Sequence, residues 1–191
     1  MNILNEYNNV ISICGSRRNV GKTFLGESII SHFSLSYSVI SIKISKFKHK
    51  AEDKENLKEL YKTPHYTIWQ ELSFTHKDSG RYLKAGASTS YYIECDDSHL
   101  LNAFLFVYNL FGSAKLVICE SASITKYINP AISIFVESAT YQTEENKLRS
   151  LRKSTLVLKE KSIEISIPQL FLAVQNYKWI TKYTEKVLCY V

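Results

Sequence analysis

Glycine and proline are scarce in this chain, six and three among 191 residues, and methionine occurs once. A chain so poor in both is not loop-dominated, low-complexity or collagen-like. The four cysteines, Cys14, Cys95, Cys119 and Cys189, lie far apart and form no CxxC pair. That distribution suits reduced thiols better than a disulfide framework or a zinc site, and it points to the cytoplasm. Long apolar runs are missing as well. The longest, "LLNAFLFVYNLF", is broken by Asn102 and Asn109, and a membrane-spanning helix needs roughly 20 apolar residues. The first residues carry neither a basic leader nor a small-residue cleavage site. A cytoplasmic protein with no membrane partner is expected.

What is present is enough for a substantial core. Hydrophobic residues make up 45% and aromatics 13%, so one domain spanning residues 1–191 is the simplest organisation. The formal charge is +6, which suits nucleic acid, a phosphate-rich ligand or an acidic protein. Much of the excess sits in "KISKFKHK" and "KLRSLRK", each read as a solvated face. No nucleic-acid module or aromatic stacking platform is recognisable, so no specific nucleic acid is expected.

Strand and helix signals alternate, which predicts α/β architecture with a mainly parallel sheet. Val10–Cys14 and Tyr37–Ile44 read as strands, and Lys22–Phe33 reads as a helix with Phe24, Leu25, Ile29 and Phe33 near one face. The charged stretch from Ser45 to Thr67 reads as a loop, with an exposed helix over Glu52–Tyr61. "HKDSGRYLKAGAS" predicts a turn and short helix, "TSYYIEC" a strand, and Ser98–Phe111 a helix capped by Asp96 or Asp97. "KLVICE" and "AISIFVE" are further strands. Beyond Thr155 the pattern suggests short strands, a helix after Pro168 and a last strand, "KVLCYV".

The turn between the first strand and the first helix reads "GSRRNVGKT". Gly21, Lys22 and Thr23 stand as in a phosphate-binding loop, after a strand and at the opening of a helix. The physics is specific: backbone N–H groups of Gly15, Ser16, Arg17, Arg18, Asn19, Val20 and Gly21, and the helix end at Phe24, can surround phosphate oxygens. Lys22 would reach the outer phosphates, and Thr23 would hold Mg²⁺ through its hydroxyl. Five residues, not four, separate Gly15 from Gly21, and Ser16 holds the usual first-glycine position. This extended loop resembles that of dethiobiotin synthetase and its relatives, in the class that includes the MinD/ParA proteins. Many of that class carry, at the position of Arg17, a lysine that reaches a dimer partner's nucleotide. The resemblance thus implies a homodimer, although a phosphate-side or solvent role for Arg17 is equally open.

A second block, "KDSGRYLKAGA", supplies Lys77, Asp78, Ser79, Arg81, Ala85, Gly86 and Ala87. It resembles the K-D-S-x-R-x-x-x-A-G-A block of the molybdopterin-guanine dinucleotide biosynthesis protein B (MobB) family. The order of elements is similar too: phosphate loop, a strand carrying Lys43, a charged insertion, this block, then a strand ending in an acid. The resemblance covers roughly residues 10–137. It implies a three-layer P-loop NTPase fold, GTP with Mg²⁺, and partners in molybdenum cofactor biosynthesis: a molybdopterin-related ligand, and a cofactor-guanylylating enzyme or molybdoenzyme. The chain departs from that family in having Ser121 after Glu120, where E-G is usual, and His49 without a second nearby histidine.

On chemistry alone, Asp78 can bind Mg²⁺ or its waters, Lys77 and Arg81 add positive charge for a polyphosphate, and Ser79 adds a hydroxyl. Glu120, at the end of "KLVICE", is placed to hold the metal or orient the attacking water. Lys22, Asp78 and Glu120 are the expected catalytic residues, with Thr23, Asp78 and Glu120 as metal ligands. Lys43, Lys77, Ser79 and Arg81 are the expected substrate or phosphate contacts. The guanine-reading motif N-K-x-D is not met, because "NKLR" at 146–149 has Arg149 where Asp is needed, so the base is open between GTP and ATP. His32, His65, His76 and His99 show no metal-ligand spacing and are expected at the surface or core edge. Three functions fit: a MobB-like accessory GTPase with slow turnover, an ATP-dependent small-molecule ligase or kinase, and a nucleotide-sensing module without turnover.

Overall fold

The computed structural model describes residues 4–46, 55–112, 115–140, 143 and 145–163. The expected helix after Pro168 and the strand "KVLCYV" lie outside the described residues. The chain builds an α/β structure on an eight-stranded sheet. Its strands are β1 (Glu6–Gly15), β2 (Val39–Lys46), β3 (Leu57–Lys62), β4 (Tyr66–Glu71), β5 (Thr89–Cys95), β6 (Leu116–Glu120), β7 (Asn129–Glu137) and β8 (Leu156–Lys159). Among the described residues four α-helices accompany them: α1 (Lys22–Phe33), α2 (Asp78–Lys84), α3 (Leu100–Asn109) and α4 (Glu145–Arg152).

The strand order is β3-β4-β5-β2-β6-β1-β7-β8. From β5 to β8 every pairing is parallel, and at one edge β4 runs antiparallel to both β3 and β5. Parallel strands buried on both faces read as continuous apolar runs, as "VISIC" and "LVIC" do. Alternation still divides them between two cores. Ile11, Ile13, Ile118, Ile132 and Ile134 pack with Leu25, Ile29, Ile30 and Phe33 of α1 and Tyr82 of α2. Val10, Ile40, Ile42, Ile93, Val117 and Cys119 pack with Leu100, Ala103, Phe104 and Val107 of α3 on the other face. Helices therefore flank the sheet, as a three-layer α/β arrangement requires.

Two local expectations need correction. Phe24 is not on the buried face of α1: it is 40% exposed, and Gly26 and Ile30 face inward with Leu25, Ile29 and Phe33. The expected exposed helix over Glu52–Tyr61 is instead strand β3 from Leu57. The ladder with β4 slips between Glu59 and Tyr61, the signature of a β-bulge, in which one extra residue interrupts the alternation. Leu57 and Leu60, three apart, are consequently the partly covered residues of this strand. A bulged strand thus mimics helical spacing in the sequence. The helix α4 and the strand β4 were not anticipated.

Candidate functional site

The parallel strands all end at one edge of the sheet, and the loop from Gly15 to Gly21 lies there. Ser16 N–H bonds the Val136 carbonyl at 2.9 Å, and the Ser16 hydroxyl accepts the Ser138 N–H at 2.8 Å. The loop is thereby tied to the end of β7. Val20 is fully buried beneath it. Asn19 and Gly21 both take left-handed backbone, at φ 57° and 89°. At Gly21 a side chain would be strained, and a Cβ would also lie 2.6 Å from Ile163 Cδ1. That residue opens α1, so the helix's first N–H groups face the loop.

Sheet register sets the next residues. Lys43 on β2 and Glu120 on β6 are direct partners, and both lie on the face that α1 and α2 cover. Lys43 Nζ sits 2.5 Å from Glu120 Oε1 and 2.8 Å from Asp78 Oδ2. Thr23 Oγ1, in the first turn of α1, donates to Glu120 Oε2 at 3.2 Å. Glu120 is 2% exposed, while the Asp78 side chain, at the start of α2, is 40% exposed. Burial pushes the Asp78 carboxyl up, but Lys43, with Thr23 and Arg81, outweighs it and holds the group below its ordinary value.

Lys22 folds back over the loop and donates to the Arg17 carbonyl at 2.7 Å. Burial lowers its pKa, Glu120 opposes the shift, and the nearby ammonium groups of Lys43 and Lys147 add to it. Three lysines therefore converge on the loop. The environment that disfavours the Lys22 charge would be relieved by an anion among them.

Lys22, Thr23, Lys43, Asp78 and Glu120 are thus brought together, with the loop residues Gly15–Gly21 around them. Other expected contacts point elsewhere. Arg81 makes a bidentate pair with Glu27 of α1, at 2.8 and 2.5 Å. Ser79 is buried and donates to Glu71, at the end of β4. Both lock α2 in place rather than reaching the loop. Lys77 is the exposed N-cap residue of α2. Arg18 is exposed, and Arg17 offers its carbonyl to Lys22.

Two residues of the site were missed. Tyr82 is fully buried, packs where a Cβ on Gly26 would be 2.8 Å from its ring, and donates its hydroxyl to Glu120 Oε2 at 2.5 Å. Its spacing, four residues after Asp78 on one helix, was the available signal. Lys147 of α4 donates to the Ser16 carbonyl at 2.9 Å. It lies within the basic run read as a solvated face, and only the return of α4 to the end of β1 brings it to the loop. Neither Asp96 nor Asp97 caps a helix through its side chain. Asp97 instead accepts from Ser123 at 3.1 Å and pairs with Lys126 at 3.4 Å.

No family model, no curated protein and no solved structure matches this chain. Among the described residues, no helix is long and apolar enough to cross a membrane.

Proposed function

We propose that this chain is a P-loop nucleotide-binding protein that hydrolyses a nucleoside triphosphate slowly with Mg²⁺. One observation carries the reading: Lys22 and Thr23 of a glycine-bounded loop meet a register-paired Lys43 and Glu120 and the exposed Asp78 at one edge of a parallel sheet. Crevices at the carboxyl ends of such strands are where ligands bind. The donor set suits a hard cation, because a hydroxyl and two carboxylates offer only oxygen. Bound there through Thr23, Asp78 and Glu120, Mg²⁺ would neutralise charge on the phosphate oxygens.

The residues divide the remaining work. Lys22 exchanges the Arg17 carbonyl for a phosphate oxygen, and Lys43 and Lys147 add positive charge beside it. Glu120, held by Lys43, Thr23 and Tyr82, keeps those groups in position. Asp78, at the exposed mouth, orients the attacking water. That water bonds to the terminal phosphorus, the bond from phosphorus to the bridging oxygen breaks, and the diphosphate leaves with the electron pair. The resemblance to the MobB family favours GTP, a homodimer and an accessory role in molybdenum cofactor assembly. Lys43 at the same mouth favours a second reading, transfer of the phosphoryl group to a small acceptor.

A thermal-shift panel of GTP, ATP and their diphosphates, with and without Mg²⁺, tests this, since a ligand of the folded state raises its apparent stability. A Mg²⁺-dependent rise with one triphosphate, lost in Lys22→Ala, is expected. No rise with any of them would overturn the reading. Phosphate release stimulated by a protein, rather than by a small acceptor, separates the accessory role from the second reading.

A further inference from the structure

A second polar cluster lies at the same edge of the sheet, at the ends of β4 and β5 on one side of Lys43, and takes no part in the phosphate site. It comprises His65, in the β3–β4 turn, and Asp96 and His99, just after β5. One ligand atom from each lies within 4.8 Å of the others. The backbone holds all three donors in place. Asp96 N–H bonds the His65 carbonyl, and His99 N–H bonds the Asp96 carbonyl, each at 3.0 Å. Thr63 closes the turn by accepting the N–H groups of His65 and Tyr66 at 3.2 and 3.0 Å.

The side chains are arranged around this frame. His65 Nδ1 is 3.6 Å from Asp96 Oδ2. The two imidazoles lie face to face, with ring centres 4.0 Å apart and planes 3° from parallel. Ser98 Oγ is 3.0 Å from His99 Nδ1, which engages that nitrogen and leaves Nε2 for another partner. Asp97, the neighbouring acid, is drawn away by Ser123 and Lys126, so among the described residues Asp96 is the acid grouped with the histidines. Local spacing carries no sign of this, because the two histidines are 34 positions apart, and the hairpin turn is what brings them together.

We propose that His65, Asp96 and His99 form a site for a divalent transition-metal ion of borderline softness, with Zn²⁺ as the committed ion. Two imidazoles and a carboxylate match its ligand preference, and an exposed third side leaves room for water as a fourth ligand. Bonds of about 2.0–2.1 Å to a tetrahedral ion bring ligand atoms to within about 3.4 Å of one another. Reaching that separation from 4.8 Å needs a closure of up to about 1.4 Å and a turn of the stacked rings. Side chains that are about half exposed, as His65 and Asp96 are, can make it by rotation. With Nε2 on the ion, His99 Nδ1–H would donate to Ser98 Oγ and so fix the tautomer, as outer partners of metal-bound histidines do. The ion would clip the β3–β4 turn to the segment leading into α3.

Calorimetric titration of the full chain with ZnCl₂ tests this, with millimolar Mg²⁺ present to occupy the phosphate site. One high-affinity Zn²⁺ per chain is expected, weakened at least tenfold by His65→Ala and by His99→Ala, and less strongly by Ser98→Ala. Lys22→Ala should leave it unchanged. Circular dichroism of each variant checks that the fold persists, and His99→Gln, which keeps a polar side chain of similar length, should also lose the ion. Affinity that changes less than threefold in both histidine variants, or no Zn²⁺ binding to the parent chain, overturns the site. Because Mg²⁺–nucleotide binding is read separately, failure of one site does not imply failure of the other.

Discussion

The centre of the sheet and its antiparallel edge contrast sharply. At the centre, β1, β2 and β6 bury almost every residue, and the only charged groups they carry inward, Lys43 and Glu120, satisfy each other and their neighbours. At the edge, β3 has no fully buried residue, and its charged groups meet solvent. The difference follows from the number of covered faces. A doubly covered strand makes each polar group costly unless it is paired, whereas an edge strand protects itself with charge and a bulge. Charged groups carried by the central strands, Lys43 and Glu120, are therefore coupled to stability, and those at the edge are not.

Substitutions can break or sharpen that contrast. The largest effect is expected from Lys22→Ala, which should weaken Mg²⁺–nucleotide binding by about 1,000-fold, or about 4.1 kcal/mol, in calorimetry, with little change in unfolding free energy. Next is Glu120→Ala. It strands the Lys43 ammonium, 15% exposed, with Asp78 alone, and removes the partner of Thr23 and Tyr82. A loss of about 3 kcal/mol in urea unfolding is expected, together with loss of turnover. Gly21→Ala should cost about 1–3 kcal/mol, because the left-handed backbone and the contact with Ile163 both resist a side chain. A loss under about 0.5 kcal/mol would show that the loop is not fixed as described.

A smaller effect depends on pH. Glu71 is buried, and burial raises its pKa above the ordinary 4.5, against the hydrogen bond from Ser79 and the charge of Lys77. An acid whose folded-state pKa is raised holds more protons folded than unfolded in that window, so its contribution to stability falls as pH climbs above 4.5. The unfolding free energy of the parent chain relative to Glu71→Gln should decline over that range. A difference that stays flat or rises would contradict this. The smallest effect is expected at the edge: Asp96→Asn, in an exposed pair with His65, should shift metal-free stability by less than about 0.5 kcal/mol.

Much of the central half was legible beforehand. The helix Lys22–Phe33 and the strand Thr89–Cys95 were read with their observed bounds, because long apolar periodicity and clear stops such as Gly21 leave few alternatives. Lys22, Thr23, Asp78 and Glu120 were chosen for their chemistry, and the fold brings them together. The hairpin was not legible: Leu57 and Leu60 imitate a helix because a bulge interrupts the strand's alternation. Arg81 and Ser79 were expected at the phosphate site, yet each has a partner within the protein, Glu27 and Glu71. Such partners lie on other elements, and residue type alone does not choose among them.

The sequence by itself determined the alternation of strands and helices, the turn from Gly15 to Gly21 between strand and helix, and the acid at the end of β6, since each depends on residues close together in the chain. Only the tertiary structure decided that Lys43 pairs with Glu120, that Tyr82 reaches Glu120 and Lys147 the loop, and that His65 meets Asp96 and His99. These arrangements depend on strand order and register. Both are set by how distant segments bury their apolar faces against one another, so local sequence carries no record of them.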